Sequence, residues 1–390
     1  MSKSPPKLNT SRKFPENLLS AHHLLLKAKR GEKGKQQGPA YAVPAFNVTT
    51  FNGIKAAFTA FELLGSSGLL AFSNSALKFF GDGDQVFGLE LATTFIEKLS
   101  AKSSVKIATH LDHGDYITEP GRKVVQSAVQ YLTSVMADNS TDHKNKVSMP
   151  LKDNISLTRE VVDMAHPLGL SVEGELGVLA GEEDEDTKSE FSTYTNPLEL
   201  DQFLRETGVL MLAPTIGTKH GPNKGKPGQK VKLNISLAHE LLKIANGINA
   251  EIVFVAHGAS TLYKQVVDYA REQIKEQGDP AGSLINWSEF VGTDWQQILG
   301  LIGAGFCKIN TDTENRQTYL AALLGAVNTD SAKIDIRWYE KITTDALTFS
   351  YIQKLIMARN YGVWHKPKIN VEKFKFDLTR SITDIITAAG

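Results

Sequence analysis

The chain reads as a single (β/α)8 TIM barrel with an N-terminal extension and one insertion, and three observations carry that reading. Eight short apolar stretches of strand length recur along the sequence, stretches of helical period lie between them, and every strand stretch hands over to polar side chains. Residues 17–30 have the spacing of a short amphipathic helix and 31–39, GEKGKQQGP, the composition of a solvated loop, so 1–39 is an extension. The first strand, YAVPAFNV (41–48), precedes the helical GIKAAFTAFELLG, and the second, SGLLAFS (67–73), precedes VFGLELATTFIEKLS. SVKIATHL (104–111), LTSVMAD (132–138), GLSVEGELG (169–177), VLMLAPTIG (209–217), AEIVFVAHG (250–258) and GFCKINTDT (305–313) complete the set.

Between the last two strands, 261–290 adds a charged helix, LYKQVVDYAREQIKEQ, and a Gly/Pro/Ser loop, an insertion expected over the active-site rim. The barrel domain spans 40–360, and 361–390 form a C-terminal extension. Strands this continuously apolar are buried on both faces, as in a parallel sheet; an antiparallel sandwich would alternate apolar and polar residues. The competing architecture, an open doubly wound sheet, commonly carries a Gly-rich phosphate turn after its first strand, and AFNVTTFNG is no such turn.

Composition narrows the function. The 390 residues carry 43 basic and 43 acidic side chains, so no net field favours nucleic acid or an anionic membrane, and a small-molecule site is expected. The single cysteine, Cys307, excludes an intrachain disulfide framework and a thiolate metal cluster. No apolar run reaches the roughly 18 residues of a membrane span, and the first stretch lacks the apolar block of a secretory signal. The cytoplasm is the expected location.

In such a barrel the carboxyl ends of the strands point into one shared mouth. Reading each strand to its end yields Asn47, then Ser73 and Asn74, then Asp112 and His113, then Asp138 and Ser140, then Glu175, His220, His257 with Ser260, and Asn310 with Asp312. Buried strands ordinarily hand over to generic turn residues. A lone histidine here is more often a hydrogen-bonded core or surface residue than a ligand, but three at the ends of the third, sixth and seventh strands are jointly candidates for a cation. Three neutral imidazoles with an open fourth position suit catalytic zinc, and other borderline divalent metals also accept imidazole.

Because strand side chains alternate, His110 and Asp112 share a face and His113 must be reached through the turn. His110 reads as support or core packing. In SVEGELGVLAGEEDED (171–186) the distal acids read as a solvated charge run, whereas Glu175 lies inside the strand signal and requires a partner such as a histidine or a metal. Gly177 and Gly181 would let the following loop close over a ligand. In PTIGTKHGPNKGKPG and AHGAS, Gly221, Gly258 and Ser260 would allow backbone N–H groups close to an anion, and Lys224 adds charge.

HLDHGD, SVMADNS, SVEGELGVLAGEED, GTKHGPNKG, FVAHGAS and KINTDTENR, in this order, resemble the zinc-dependent class II fructose-bisphosphate aldolase family, tagatose-bisphosphate aldolases included, over about residues 40–325. The resemblance implies reversible cleavage of a ketose phosphate, fructose 1,6-bisphosphate first, to dihydroxyacetone phosphate and an aldehyde; another ketose phosphate or a silent aldolase-like binding protein are the alternatives. It implies Zn2+ on His113, His220 and His257, with Asp138 and Glu175 supporting a second metal position, and a monovalent cation as a further cofactor. Asp112 matches the acid/base at the carbon 4 hydroxyl, and Glu182 and Glu183 match an acidic pair that moves a proton at the ketone side. Phosphate contacts map onto Gly221, Lys224, Gly258, Ser260, Asn310, Asp312 and Thr313, with Asn47 and Ser73 also at the substrate. A homodimer or larger homo-oligomer is implied.

Two rival chemistries leave residues without a task. A Schiff-base aldolase would use Lys219 or Lys308 and would give the three histidines nothing to do; metal-dependent hydrolysis would not need phosphate contacts beside the metal. The chain departs from the family in AGEED and HGAS, where two glycines are usual, and at Lys219, where a small or apolar residue is usual. It also has Thr344, with Arg337 nearby, where the family carries an arginine that grips the distant phosphate. Loss of such a charge-assisted clamp costs on the order of 1.5 to 3 kcal/mol, enough to alter substrate preference.

Overall fold

All eight strand stretches form strands, and these close on one another. The computed structural model describes residues 14–30, 41–142, 147–178, 181–184, 187–189, 194–221, 224, 231–261, 263–277, 291–329, 335–358 and 368–389. The strands are β1 (Val43–Asn47), β2 (Gly68–Phe72), β3 (Ile107–Leu111) and β4 (Ser134–Ala137), then an antiparallel ribbon of β5 (Thr141–Asp142) and β6 (Val147–Ser148). Next come β7 (Ser171–Leu176), a second ribbon of β8 (Gly181–Asp184) and β9 (Thr187–Ser189), and then β10 (Met211–Pro214), β11 (Val253–Ala256) and β12 (Phe306–Thr311). The barrel closes in the order β1-β2-β3-β4-β7-β10-β11-β12, with β12 back on β1 and parallel pairing throughout.

Helices connect successive strands: α2 (Phe51–Leu64) after β1, α3 (Asn74–Phe80) and α4 (Gln85–Ser100) after β2, α5 (Glu119–Tyr131) after β3 and α6 (Leu151–Ala165) after β4. They continue with α7 (Pro197–Thr207), α8 (Ile235–Ile248), α9 (Lys264–Gln277), α10 (Trp295–Gly303), α11 (Thr313–Thr329) and α12 (Ile336–Met357). The first of the set is stopped by its own sequence: Thr50 caps α2 by accepting the Gly53 N–H, and Gly65, at φ 58°, turns the chain out of the helix. Ring closure on the outside falls to α12, which packs between α11 and α2.

Strand alternation sorts the side chains into two cores. One parity, including Phe46, Leu70, Phe72, Ile107, Leu111, Val172, Leu212 and Phe254, packs outward beneath the helices. The other, including Val43, Ala45, Leu69, Ala71, Ala108, Met136, Met211, Ala213, Val253 and Val255, fills the barrel. The inner set is apolar toward the amino ends of the strands. Carried further along each strand with the same parity, it becomes polar: Ala45 leads to Asn47, Ala108 through His110 to Asp112, Met136 to Asp138, Val255 to His257.

The amino-terminal pole is closed by the segment before the first strand. Leu19 N–H donates to Ile107 O and Ile107 N–H to Asn17 O, each at 2.9 Å, so the chain adds itself to the start of β3. The helix α1 (Ala21–Arg30) then crosses the strand starts: the His22 N–H bonds Ser171 Oγ at 3.2 Å and the His22 ring bonds Glu251 O at 2.8 Å. Leu24 and Leu25 enter the inner core.

Two outlying segments pack on the flank. Tyr263, Val266, Val267 and Ala270 of the insertion bury against Ala321, so α9 lies along α11; 278–290 lie outside the described residues. Phe374 and Phe376 of the C-terminal stretch pack on Phe349, and Phe376 also on Tyr263, at centroid distances of 6.0, 6.2 and 5.4 Å. A further helix, α13 (Ile382–Ala389), follows. Among the described residues no helix is long and apolar enough to cross a membrane.

Leu25 is 0% exposed and belongs to the inner core, so Leu25→Ala is expected to cost about 2 to 5 kcal/mol of stability. Equilibrium denaturation measures this, and a loss below about 1 kcal/mol would mean α1 does not seal the barrel.

Candidate active site

The strand-end residues converge as alternation requires, and His113 does so through its backbone. It has φ 52°, the left-handed region that a non-glycine residue rarely adopts, and this turn brings its ring to the interior side directly after Asp112. Asn74 steadies the turn by donating its amide N–H to His113 O at 2.9 Å.

Two carboxylates aim two rings at each other. His113 Nδ1 bonds Asp138 Oδ2 at 2.7 Å, and His257 Nε2 bonds Glu173 Oε1 at 2.7 Å. Both outer nitrogens therefore act as donors, leaving lone pairs on His113 Nε2 and His257 Nδ1, which face each other at 2.8 Å. Two facing lone pairs at that distance repel unless a proton or a cation lies between them. The His220 ring is 5.2 Å from that of His113 and 6.0 Å from that of His257, with all three planes nearly perpendicular to one another. One nitrogen from each lies within 4.8 Å of the others, which makes a three-imidazole donor set; His113, Asp138 and Glu175 make a second set that shares His113. Ser140 Oγ lies 3.1 Å from Asp138 Oδ1 and 3.2 Å from Glu175 Oε1 and so links the two acids. The donor set fits a borderline divalent cation such as zinc.

Asp112 is fully buried beside these rings. Asn47 Nδ2 donates to its Oδ2 at 2.8 Å and Asn310 Nδ2 to its Oδ1 at 2.9 Å, so both oxygens are held by neutral amides. Asn310 Nδ2 also lies 3.4 Å from His257 Nε2. The structure thus places Asn47 and Asn310 against the carboxylate. Ser73 is engaged as the N-cap of α3, where its Oγ accepts the Ala76 N–H at 3.3 Å.

Glu173 escapes the strand-end reading because it lies in mid-strand, two residues before Glu175 on the same face. It is fully buried, with Lys308 Nζ at 2.8 Å, His257 Nε2 at 2.7 Å and His110 Nε2 at 3.5 Å. Burial by itself would raise its carboxyl, but the Lys308 ammonium and the His257 hydrogen bond outweigh burial and hold it well below the ordinary carboxylate range. Burial, reinforced by Lys308, pushes His110 down to about 3, so this ring is neutral; its Nδ1 bonds Ser134 Oγ at 2.9 Å, the supporting place expected of it. The Lys308 amine is engaged inside the barrel, and the Lys219 side chain is exposed, so neither is presented as a buried, free Schiff-base nucleophile.

On the other side of the mouth the loops after β10 and β11 touch. Gly258 has φ 61°, and a Cβ there would sit 2.4 Å from Lys219 O, so only glycine permits this approach. Lys224 Nζ donates to Lys219 O at 2.5 Å, and Ser260 Oγ accepts the Asp312 N–H at 3.2 Å. Gly221, Lys224, Ser260 and Thr313 line one pocket, together with Thr261, Gly292, Glu314 and Gln317, which the sequence reading missed. Asp312 instead pairs with Arg316 at 2.9 Å. Glu182 and Glu183 lie in β8; their side chains are outside the described residues. Thr344 is half-buried on α12, and Arg337 is paired with Asp335 at the start of that helix.

Known proteins share this chain's sequence and shape. A sequence model of the family described as fructose-bisphosphate aldolase class-II matches residues 32–362. Fructose-bisphosphate aldolase of Giardia intestinalis is 32% identical over 323 residues, 83% of this chain and 89% of that one. The enzyme of the same name from Helicobacter pylori strain 26695 is 31% identical over 82% of this chain and 91% of its own. Among solved structures, fructose-bisphosphate aldolase from Campylobacter jejuni superposes with a TM-score of 0.65 at 19% identity, covering 88% of this chain and 96% of that one. The YdjI aldolase from Escherichia coli gives 0.61 at 21% identity, covering 89% and 100%; both likenesses show the fold alone. Eight strands with their polar ends gathered at one mouth, and a family match across most of the chain, lead to one conclusion: this protein belongs to the class II fructose-bisphosphate aldolase family and is a carbon–carbon lyase.

Proposed function

We propose that the chain is a cation-dependent aldolase that reversibly cleaves a ketose phosphate, fructose 1,6-bisphosphate first, into dihydroxyacetone phosphate and an aldehyde. The observation that carries this reading is the 2.8 Å approach of His113 Nε2 to His257 Nδ1 directly beside the buried Asp112. The names of the relatives from Giardia and Helicobacter support the choice of substrate.

His113, His220 and His257 would hold the cation, zinc in the first instance, and His113 with Asp138 and Glu175 would offer a second position. Bound there, a divalent cation supplies Lewis-acid stabilisation of the negative charge left when the bond between carbons 3 and 4 breaks. The chain's own groups do the rest. Asp112 takes the proton of the carbon 4 hydroxyl in cleavage and returns it in condensation. Asn47 and Asn310 keep its two oxygens fixed, so the base does not rotate out of line. Glu182 and Glu183 exchange a proton at the ketone side. Lys224, Gly221, Gly258, Ser260 and Thr313 receive a phosphate, with Lys224 as the charged group among them. Glu173 and Asp138 orient the rings, each through one carboxylate oxygen.

Release of triose phosphate from fructose 1,6-bisphosphate, followed in a coupled assay, is expected with the zinc-loaded protein and is expected to vanish on complete chelation. Activity that survives metal removal would sink the proposal. Asp112→Ala should lower kcat by about 10²- to 10⁴-fold while metal content stays constant. Glu173→Gln removes the charge that orients His257, and a chelator competition should show about 10- to 100-fold weaker zinc binding.

A further inference from the structure

The loop after β11 is gripped from behind by a residue far along the chain. Lys354, near the end of α12, is fully buried. Its ammonium has three N–H groups and three acceptors: Glu314 Oε1 at 2.7 Å, Ala259 O at 3.3 Å and Thr261 Oγ1 at 3.3 Å. The last two flank Ser260 on either side. Glu314 Oε1 also accepts the Thr261 N–H at 3.3 Å, so lysine and glutamate together fasten the loop to the first turn of α11.

We propose that Lys354 is a positioning residue that sets the affinity of the site for a phosphate group. The inference rests on the reading of Gly221, Lys224, Ser260 and Thr313 as phosphate contacts. Two physical effects support it. Tethers on both neighbours of Ser260 fix the peptide groups around its hydroxyl, and a contact held in place before the ligand arrives costs less ordering on binding. Glu314 lines the same pocket, where a bare carboxylate would repel an anion, and the ammonium 2.7 Å behind it cancels that charge. Lys354 thus allows an acidic side chain to stand in an anion pocket. It touches no reacting atom, so its effect belongs in binding rather than in the chemical step.

The test compares zinc-loaded wild type with Ser260→Ala, Lys354→Met and the double variant Lys354→Met/Glu314→Gln. It reads kcat, KM, competitive inhibition by inorganic phosphate, and the thermal midpoint. The single lysine variant leaves Glu314 buried without a counter-charge and can fail to fold. The double variant removes both charges, and its glutamine oxygen can still accept the Thr261 N–H, so the fold is expected to survive. The expected result for the double variant is a rise of about tenfold or more in KM and in the phosphate inhibition constant, with kcat within about twofold of wild type. Unchanged KM and inhibition constant beside a lowered midpoint would assign Lys354 to stability alone and overturn the inference. If phosphate competes with substrate and Ser260→Ala weakens it while the double variant does not, the inference falls and the phosphate reading stands. If phosphate does not compete in the wild type, the phosphate reading falls and takes the inference with it.

Discussion

A closed sheet of parallel strands has only one interior, and every second residue of every strand must enter it. That constraint organises this protein. Segments as far apart in sequence as Asn47 and Asn310 meet on opposite oxygens of Asp112 because each continues the inward parity of its strand. The lower part of the interior is Val, Leu, Ala and Met, sealed by Leu24 and Leu25; the upper part is imidazole, carboxylate and amide. One alternation therefore supplies both the stability of the barrel and the reagents at its mouth.

Such a gathering puts charge where water does not reach, and the protein manages it by pairing. Glu173 with Lys308 and Glu314 with Lys354 are almost wholly excluded from solvent, at 2.8 and 2.7 Å. Neither pair is strong evidence for net stability, since the cost of desolvation offsets much of the attraction. Their value lies in direction: the first pair leaves one Glu173 oxygen to orient His257, and the second leaves the lysine two further bonds for the loop around Ser260. In both, the lysine neutralises a carboxylate that also holds a second group, the His257 ring in one and the Thr261 N–H in the other.

Much of this is legible in the sequence. Strands buried on both faces are continuous apolar runs, so all eight could be read directly, and reading each to its end exposed Asp112, His113, His220 and His257 as neighbours. Glu173 was missed because a residue in mid-strand is read as core; its signal was parity with Glu175 and the presence, in another apolar strand, of an equally misplaced Lys308. The bonds of Asn47 and Asn310 to Asp112 were not legible, because strand ends show which mouth a side chain enters, not which neighbour it meets there. Lys354 and Glu314 left no pattern at all, since two helices bring them together only through the packing of α11 on α12. His113 was known to require a turn, but φ 52° is a conformation that no residue spacing announces.

The stopper formed by α1 has a kinetic consequence. With the interior filled by side chains such as Ala45, Met136, Met211 and Val255 and the amino-terminal pole covered by Leu24 and Leu25, the carboxyl-end opening is both entrance and exit. A cleavage enzyme turns one molecule into two, and both fragments must leave by the doorway through which the next substrate arrives. The fragment held by more contacts departs last, so the order of departure follows from which half of the sugar the loops grasp more firmly.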